Sequence, residues 1–210
     1  MSRTRIKFCG IRRPADAQAA VALGVDAIGF VLVPQSKRHV ALSRAASIRT
    51  ALPPFVAAVA LLMNPSEREV HAAIEAIRPD LLQFHGAETP GFCASFGLPY
   101  LKAVAMKGAV NLPREARRYK SASGLLLDGN APGAMGGQGE TFDWTQARGV
   151  KSPLIVAGGL TPANVARAVR LVRPYAVDVS SGIESAPGIK DAAKMRAFVA
   201  AVRRADARGS

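Results

Sequence analysis

A cysteine stands at the end of the first predicted strand, where its thiol could exchange a proton with a bound molecule. Polar and apolar residues alternate over Arg5–Cys9, which is the period of a β-strand, and Gly10 ends the run. A free thiol has a pKa of about 8.5 and serves well as a base at neutral pH only when that pKa falls. Lys7 shares a face of the strand with Cys9, about 6–7 Å away, so we expect its charge to lower the pKa of the thiol. The alternative interpretation of Cys9 is a small buried apolar residue.

An aspartate ends another apolar run. Asp128 closes the predicted strand Gly124–Asp128, so its carboxyl group would lie at the carboxyl end of that strand. The segment GNAPGAMGGQGETFDW, residues 129–144, follows directly and has no helical period. It predicts a lid that moves over a site, and a flexible connector is the alternative. The glycines that would let it move are Gly133, Gly136, Gly137 and Gly139.

Two short segments of small residues are suited to bind an anion. Gly158 and Gly159 lead into a predicted helix that begins at Thr161, and the free N–H groups of a helix N-terminus attract phosphate. A second set of amides and hydroxyls lies over Ser180–Gly182. The two segments predict a phosphate site, and a tight turn is the alternative for the first. The phosphate-binding residues would be Gly158, Gly159, Ser181 and Gly182.

These groups belong to a repeated unit of strand and helix. Eight strand candidates alternate with stretches of helical period, which favours parallel strands joined by helical crossovers. Eight units in 210 residues predict a single-domain (β/α)8 TIM barrel over residues 1–210, and an open doubly wound sheet is the alternative. The strand candidates are Arg5–Cys9, Asp26–Leu32, Phe55–Leu62, Leu81–Phe84, Tyr100–Val104, Gly124–Asp128, Leu154–Ala157 and Tyr175–Ser180. The helix candidates are Ala15–Leu23, Ser43–Leu52, Ser66–Ile77, Thr89–Phe96, Leu112–Tyr119, Thr161–Val172 and Lys190–Ala205.

The barrel would gather the functional groups at one end, because the active site of such barrels lies at the carboxyl ends of the strands. If the apolar positions face the helices, Lys7 and Asp178 point into the barrel from neighbouring strands. We expect these two residues to pair, because an unpaired buried charge is costly. The same parity turns Gln83, Lys102 and Asp128 inward.

Composition narrows the classes of partner. The chain has 28 Lys and Arg against 15 Asp and Glu, a net charge of +13, but the basic residues are dispersed over predicted helix surfaces. We therefore expect no nucleic-acid partner and a field that attracts small anions. No apolar run approaches the ~18 residues of a membrane span, and no signal-peptide pattern follows Met1. A cytoplasmic protein without membrane contact is expected, and no cysteine–histidine cluster suggests a metal site.

The order of the motifs along the chain resembles that of the phosphoribosylanthranilate isomerase family. The segments that carry the resemblance are KFCGI, SKRHV, LLQFHGAE, LKAV, LLLD, GGQGETFDW, AGGLTPANV and AVDVSSGIE. They cover nearly the whole chain. The resemblance implies an Amadori rearrangement in tryptophan biosynthesis, which converts N-(5-phosphoribosyl)anthranilate, a phosphorylated small molecule, into an aminoketose. It implies no metal and no organic cofactor, and we expect a monomer or a homodimer.

The resemblance also implies roles for single residues. Asp128 would be the acid that protonates the ring oxygen, and Cys9 would be the base that takes the proton from C2. Arg38 would hold the anthranilate carboxylate, because a guanidinium binds carboxylates bidentately. His85 is the alternative base. The other residues of the substrate site would be Gln83, His85, Gly158, Gly159, Asp178, Ser181 and Gly182.

Several other functions stay open at this point. Indole-3-glycerol-phosphate synthase would be expected to use lysine and glutamate and to carry an N-terminal extension, and a histidine-pathway isomerase would use paired aspartates where this chain has Cys9. A basic nucleic-acid-binding domain would need a binding motif that the sequence lacks. A non-catalytic ligand-binding barrel would need neither Cys9 nor Asp128. Activity on the histidine-pathway aminoaldose, in addition to the main substrate, also stays open.

Overall fold

Eight parallel strands close into a barrel in chain order, so that the first strand pairs with the eighth. The computed structural model describes residues 3–108, 110–131, 141–147 and 150–207. The predicted (β/α)8 fold is confirmed, and each strand begins and ends within two residues of the predicted segment. The strands are β1 (Arg5–Cys9), β2 (Ala27–Val31), β3 (Ala57–Leu62), β4 (Leu81–Phe84), β5 (Tyr100–Ala105), β6 (Gly124–Asp128), β7 (Leu154–Val156) and β8 (Ala176–Val179).

The helices pack around the barrel in the predicted order. Their apolar faces and the outward side chains of the strands form the larger part of the core. In the described residues after β6, a short 3-10 helix over Trp144–Ala147 takes the place of an α-helix. The α-helices are α1 (Pro14–Ala22), α2 (Leu42–Thr50), α3 (Glu67–Ile77), α4 (Pro90–Ala94), α5 (Leu112–Arg118), α6 (Val165–Val172) and α7 (Ala192–Ala207).

The helix after β7 begins later than the sequence indicated. We predicted Thr161 as its first capping residue, but α6 begins at Val165 and Asn164 precedes it. The Asn164 side chain accepts a hydrogen bond from the Thr161 amide (2.8 Å) and donates one to the Gly159 carbonyl (2.9 Å). These bonds stabilise a turn over residues 161–164 in place of the first helical turn, because a short amide side chain can bond nearby backbone groups.

A hairpin that the sequence did not predict lies between β8 and α7. Strands β9 (Glu184–Ala186) and β10 (Ile189–Lys190) pair antiparallel, and the predicted helix start at Lys190 is therefore wrong. Gly188 has a φ of +78°, a conformation that favours glycine and lets the chain reverse. The hairpin brings Lys190 back to the carboxyl end of the barrel, where its ammonium bonds the Ser180 carbonyl (3.1 Å).

The barrel interior has an apolar floor and a polar mouth. Its apolar cluster is formed by Leu101, Leu126, Ile155, Ala157 and Ala176. Above this cluster, the ammonium of Lys7 lies 2.9 Å from a carboxylate oxygen of Asp178, and both side chains are buried. The predicted ion pair between β1 and β8 is thus confirmed. It lies above the apolar floor, so the polar groups of the interior lie toward the mouth of the barrel.

Lys102 lies on the opposite side of β5 from the one that we predicted. The interior positions of β5 are Leu101 and Ala103. Lys102 instead lies between barrel and helices, where its ammonium bonds Glu88 (3.0 Å) and the Gly86 carbonyl (2.5 Å). The parity argument failed here because we took the apolar residues of β5 to face outward, whereas a buried lysine needs only partners and finds them in the loop after β4.

The Lys102–Glu88 pair provides a test of the stability of this side of the barrel. Both side chains are at most 3% exposed, so Lys102→Met should leave a buried carboxylate without its cation and lower the free energy of unfolding by about 3–5 kcal/mol. Urea denaturation would measure the loss. Lys102→Met/Glu88→Gln should recover part of it, and Lys120→Met, at an exposed lysine, is the matched control. An equal loss in the single and double variants would contradict the coupling.

Candidate active site

One cavity at the carboxyl ends of the strands brings together nearly all the predicted site residues. Cys9 lines it from the end of β1, Gln83 from β4, His85 from the residue after β4, and Asp128 from the end of β6. Of the predicted site residues, Gly182 alone is outside the cavity lining. The other predicted residues in the lining are Arg38, Gly158, Gly159, Asp178 and Ser181.

The thiol of Cys9 and the ammonium of Lys7 lie close together over a glycine. Cys9 is opposite Gly29 in the β1–β2 ladder. A Cβ atom at Gly29 would lie 2.9 Å from the Cys9 sulfur, closer than real Cβ atoms come without a shift, and in a tight contact of 3.1 Å with the Lys7 nitrogen. The absence of a side chain at Gly29 therefore lets both groups occupy this part of the barrel.

The pKa of Cys9 reflects a competition between burial and charge. Cys9 is 5% exposed, and burial raises the pKa of its thiol because it disfavours the thiolate. The ammonium groups of Lys7 and Lys190 lower that pKa, while the carboxylate of Asp178 raises it. The net direction is upward. Lys7 acts as we predicted, but the predicted net lowering is wrong because burial outweighs it.

Asp128 is held by two neighbours that the sequence analysis did not connect with it. One carboxylate oxygen accepts hydrogen bonds from the Asn130 side chain (2.8 Å) and the Asn130 amide (3.3 Å). The other oxygen lies 3.2 Å from Nε2 of His85, and Nδ1 of that ring lies 3.3 Å from the Gln83 amide nitrogen. In the tautomer that fits this amide orientation, Nδ1 accepts from Gln83 and Nε2–H donates to Asp128.

Sequence signals for these neighbours were weak. Asn130 follows Asp128 by two residues, a spacing at which a side-chain amide can bond the carboxylate, but it belongs to a segment that we interpreted as a lid or a flexible connector. We placed His85 among the residues of the substrate site and as an alternative base. Its contact with Asp128 depends on the distance between β4 and β6 across the barrel, which no sequence spacing gives.

Arg38 reaches the cavity from the loop after β2 and is held by a glutamate. Its Nε and Nη2 atoms donate to the two carboxylate oxygens of Glu184 at 2.9 Å and 2.8 Å. Lys190 bonds the same carboxylate at 2.9 Å. Burial alone would raise the pKa of Glu184, but the Arg38 hydrogen bonds and the Lys190 charge outweigh it and lower that pKa. The sequence analysis assigned no role to Glu184 or Lys190.

The two small-residue loops meet at the other side of the cavity. Gly158 and Gly159 have φ angles of +72° and +62°, in the left-handed region that favours glycine. A Cβ atom at Gly182 would overlap the carbonyl oxygen of Leu160, so this glycine allows the loop after β8 to pack directly on the loop after β7. Gly158, Gly159 and Ser181 line the cavity, and Gly182 lies behind them.

The described residues bear less directly on the predicted lid and on metal or membrane binding. Gly133, Gly136, Gly137 and Gly139, on which the predicted lid depends, lie outside them. No group of three or more His, Cys, Asp or Glu side chains in the described parts of the chain could hold a metal ion. None of the described helices is both long and apolar enough to span a membrane.

Parallel strands closed into a barrel, with acid–base side chains and glycine-containing loops gathered at one end, define a (β/α)8-barrel enzyme. The model of the N-(5'-phosphoribosyl)anthranilate (PRA) isomerase family matches residues 6–201. The chain therefore belongs to the N-(5'-phosphoribosyl)anthranilate isomerase family, which makes it an isomerase of tryptophan biosynthesis.

Individual relatives agree with this assignment. The N-(5'-phosphoribosyl)anthranilate isomerase of Stenotrophomonas maltophilia strain R551-3 is 52% identical over 97% of this chain and 95% of its own length. The crystal structure of the Thermus thermophilus enzyme has a TM-score of 0.88 at 39% identity and covers 96% of this chain and 99% of its own.

Two further solved structures carry information on ligand and assembly. One is a phosphoribosyl anthranilate isomerase in complex with reduced 1-(o-carboxyphenylamino)-1-deoxyribulose 5-phosphate, with a TM-score of 0.84 and 33% identity over 96% of this chain and 99% of its own. The other shows monomers generated from the dimeric isomerase of Thermotoga maritima, with a TM-score of 0.81 and 32% identity over the same shares of the two chains.

Removal of the Lys7 charge should make the Cys9 thiol less reactive. Lys7→Met abolishes a cation that lowers the pKa of Cys9 and leaves Asp178, which raises it, so the thiolate should form at higher pH. The rate of alkylation by iodoacetamide, measured against pH in a Cys93→Ala background, reports this pKa. The curve should move to higher pH in Lys7→Met and stay in place in Lys37→Met, which removes an exposed charge. An unchanged curve in Lys7→Met would show that Lys7 does not act on the thiol.

Proposed function

We propose that this chain converts N-(5'-phosphoribosyl)anthranilate into 1-(2-carboxyphenylamino)-1-deoxyribulose 5-phosphate with Asp128 as general acid and Cys9 as general base. The observation that carries the proposal is that the two side chains line one cavity from β6 and β1, on opposite sides of the barrel mouth. Two proton transfers at different atoms of one substrate need such a separation. The proposal requires no metal or organic cofactor, because the iminium intermediate itself accepts the electron pair.

Each step of the proposed reaction balances. Asp128 donates a proton to the furanose ring oxygen as the bond from that oxygen to C1 breaks, which leaves an open-chain iminium. The Cys9 thiolate then removes the proton from C2, and the C2–H electron pair forms the C1–C2 double bond of an enolamine. Tautomerisation then transfers the proton of the C2 hydroxyl group to C1, and the C–O bond becomes the C=O bond of a ketone at C2. Atoms and charge are conserved, as an isomerisation demands.

The neighbours of Asp128 hold its carboxyl group in place. Nε2 of His85 lies 3.2 Å from one carboxylate oxygen and so contacts the proposed acid directly. Asn130 holds the other oxygen and thereby fixes the orientation of the carboxyl group. His85 contacts the acid, and its contact with Asp128 favours a supporting role over that of the base.

The two anionic ends of the substrate have matching groups in the cavity. Gly158, Gly159 and Ser181 would bind the phosphate, with Gly182 holding their two loops together. Arg38 would bind the anthranilate carboxylate with the donors that Glu184 leaves free. Gln83 orients His85, and Asp178 pairs with Lys7 beside the thiol.

The assembly and the location of the chain stay predictions. Phe55 is fully exposed with a φ of +70° and Tyr175 is 48% exposed, and both border an opening at the amino-terminal end of the barrel. Exposed apolar groups of this size, together with the dimeric relative, favour the homodimer over the monomer. We also propose a cytoplasmic location and no nucleic-acid partner. Sedimentation of the purified protein over a range of concentrations would decide the assembly state.

Removal of either acid–base group should abolish most turnover while substrate still binds. Cys9→Ala and Asp128→Asn should each lower kcat by at least roughly 10²–10⁴-fold, the usual share of general acid–base catalysis. KM should stay within a few-fold, and Cys9→Ser should recover little because a hydroxyl is far harder to deprotonate. The loss of anthranilate-type fluorescence from freshly made substrate measures the rate. Cys93→Ala, at a buried cysteine outside the cavity, is the control.

The outcomes of these variants bear on different parts of the proposal. Near-normal turnover in Cys9→Ala would remove the thiol from the mechanism and make His85 the next candidate base. Near-normal turnover in Asp128→Asn would remove the acid. A wild-type protein without isomerase activity would overturn the proposed function itself.

A charge placed in the first glycine loop should weaken phosphate binding. Gly159→Asp puts a carboxylate beside the proposed phosphate, so KM should rise strongly through like-charge repulsion while kcat changes less. Because Gly159 has a φ of +62°, any side chain there carries some backbone cost. Gly159→Ala is the matched control, since it carries that cost without the charge. A folded Gly159→Asp variant with the KM of Gly159→Ala would remove the phosphate from this loop.

A further inference from the structure

Three charged side chains lie in a row at one edge of the cavity. Arg38 bonds Glu184 through both carboxylate oxygens, and Lys190 bonds one of the same oxygens at 2.9 Å. Their side chains are 12%, 5% and 0% exposed. Arg38 comes from the loop after β2, whereas Glu184 and Lys190 belong to the β9–β10 hairpin, so two separate parts of the chain form this row. We call these three residues the carboxylate clamp.

The clamp leaves one end of the Arg38 guanidinium for a ligand. Glu184 occupies the Nε and Nη2 side, and in the described part of the chain Nη1 donates no hydrogen bond. Arg38 also lines the cavity. One N–H of Nη1 and the second N–H of Nη2 can therefore donate to the two oxygens of a ligand carboxylate in a bidentate contact.

The backbone around the clamp restricts the arginine further. A Cβ atom at Gly10 would lie 2.9 Å from Cδ of Arg38, so the arginine stem packs directly on the backbone after β1. The Lys190 ammonium also bonds the carbonyl oxygen (3.1 Å) and the hydroxyl (3.3 Å) of Ser180. Arg38 therefore has little freedom to turn, and less rotamer entropy is lost when a ligand binds.

Charge explains why a second cation is present. Glu184 alone would neutralise Arg38 and weaken its attraction for an anion. Lys190 compensates Glu184, so the clamp as a whole keeps one positive charge, with Arg38 as the member that lines the cavity beside Ser180. A buried triad of this kind is weak evidence for stability, because its members also lose their hydration.

We propose that Glu184 and Lys190 are positioning residues that give Arg38 its selectivity for a substrate carboxylate: Glu184 fixes the guanidinium so that its terminal nitrogens face the ligand, and Lys190 preserves the positive charge. The inference rests on the role of Arg38 in the proposed function. A purely structural clamp would change the stability of the protein but would not change the ratio of affinities for ligands with and without a carboxylate.

A double variant separates orientation from net charge. Glu184→Gln/Lys190→Met removes one negative and one positive charge, so the clamp keeps a charge of +1 but no longer holds Arg38. The two probes are reduced 1-(o-carboxyphenylamino)-1-deoxyribulose 5-phosphate and the same molecule with an unsubstituted phenyl ring. Calorimetry should show that the double variant binds the carboxylated probe roughly tenfold more weakly, as expected for a weakened charged hydrogen bond. The phenyl probe should bind within twofold of wild type, which also shows that the variant is folded.

Lys190→Met alone and Arg38→Ala complete the experiment. Lys190→Met brings the clamp to zero net charge and should also weaken the binding of the carboxylated probe selectively. It therefore tests the inference even if the double variant does not fold. Arg38→Ala sets the largest selective loss that the site can show. If Arg38→Ala weakens both probes equally, the role of Arg38 in the proposed function is wrong. If Arg38→Ala is selective but the double variant and Lys190→Met weaken both probes equally or neither, the positioning inference alone is overturned.

Discussion

The ladder between β1 and β8 is the contact on which the site depends. It places Lys7 opposite Asp178, and the buried ion pair of 2.9 Å between them satisfies two charges that the barrel interior could not hold singly. The same register brings the Ser180 hydroxyl to the Cys9 carbonyl at 3.0 Å. A slip by one residue would turn the thiol out of the barrel. The pairing of strands that closes the barrel therefore also places the proposed base.

Glycines around this ladder determine how closely the charged groups can approach. Gly29 leaves the space in which the Cys9 sulfur meets the Lys7 ammonium, and Gly10 does the same for the stem of Arg38. Gly182 lets the last two loops touch. These positions bind nothing through a side chain, yet each one sets a distance between groups that do. The distances between the functional groups of the cavity thus depend on the absence of side chains at these glycines as well as on the side chains present.

The sequence predicted what depends on local period and chain order. Strand alternation located β1 to β8, and the adjacency of first and last strands in a closed barrel predicted the pairing of Lys7 with Asp178. Prediction from the sequence failed where a side chain replaces backbone hydrogen bonds of a helix, as the Asn164 side chain does before α6. It also failed for Lys102, because period distinguishes the two faces of a strand but does not say which of them a paired lysine will occupy.

Contacts across the barrel and effects of burial could not come from sequence at all. His85 meets Asp128 from the loop after another strand, and Glu184 meets Arg38 from a hairpin that has no strong sequence pattern of its own. The pKa of Cys9 is a balance between desolvation and three charged neighbours, and its sign depends on how much of the thiol is covered. Such quantities are properties of the packed molecule.

The ion pair between β1 and β8 also has a consequence for the newly made chain. Its partners are separated by 171 residues, so the ribosome that has finished Lys7 needs roughly nine to thirty-four seconds more to reach Asp178. During synthesis, the lysine and the thiol beside it remain without the strand that completes their surroundings. The thiol is then not yet shielded by the closed barrel, and oxidants could reach it most easily in this interval. Folding itself would protect the cysteine from oxidation. The nascent chain would assemble its site only after most of its length has left the ribosome.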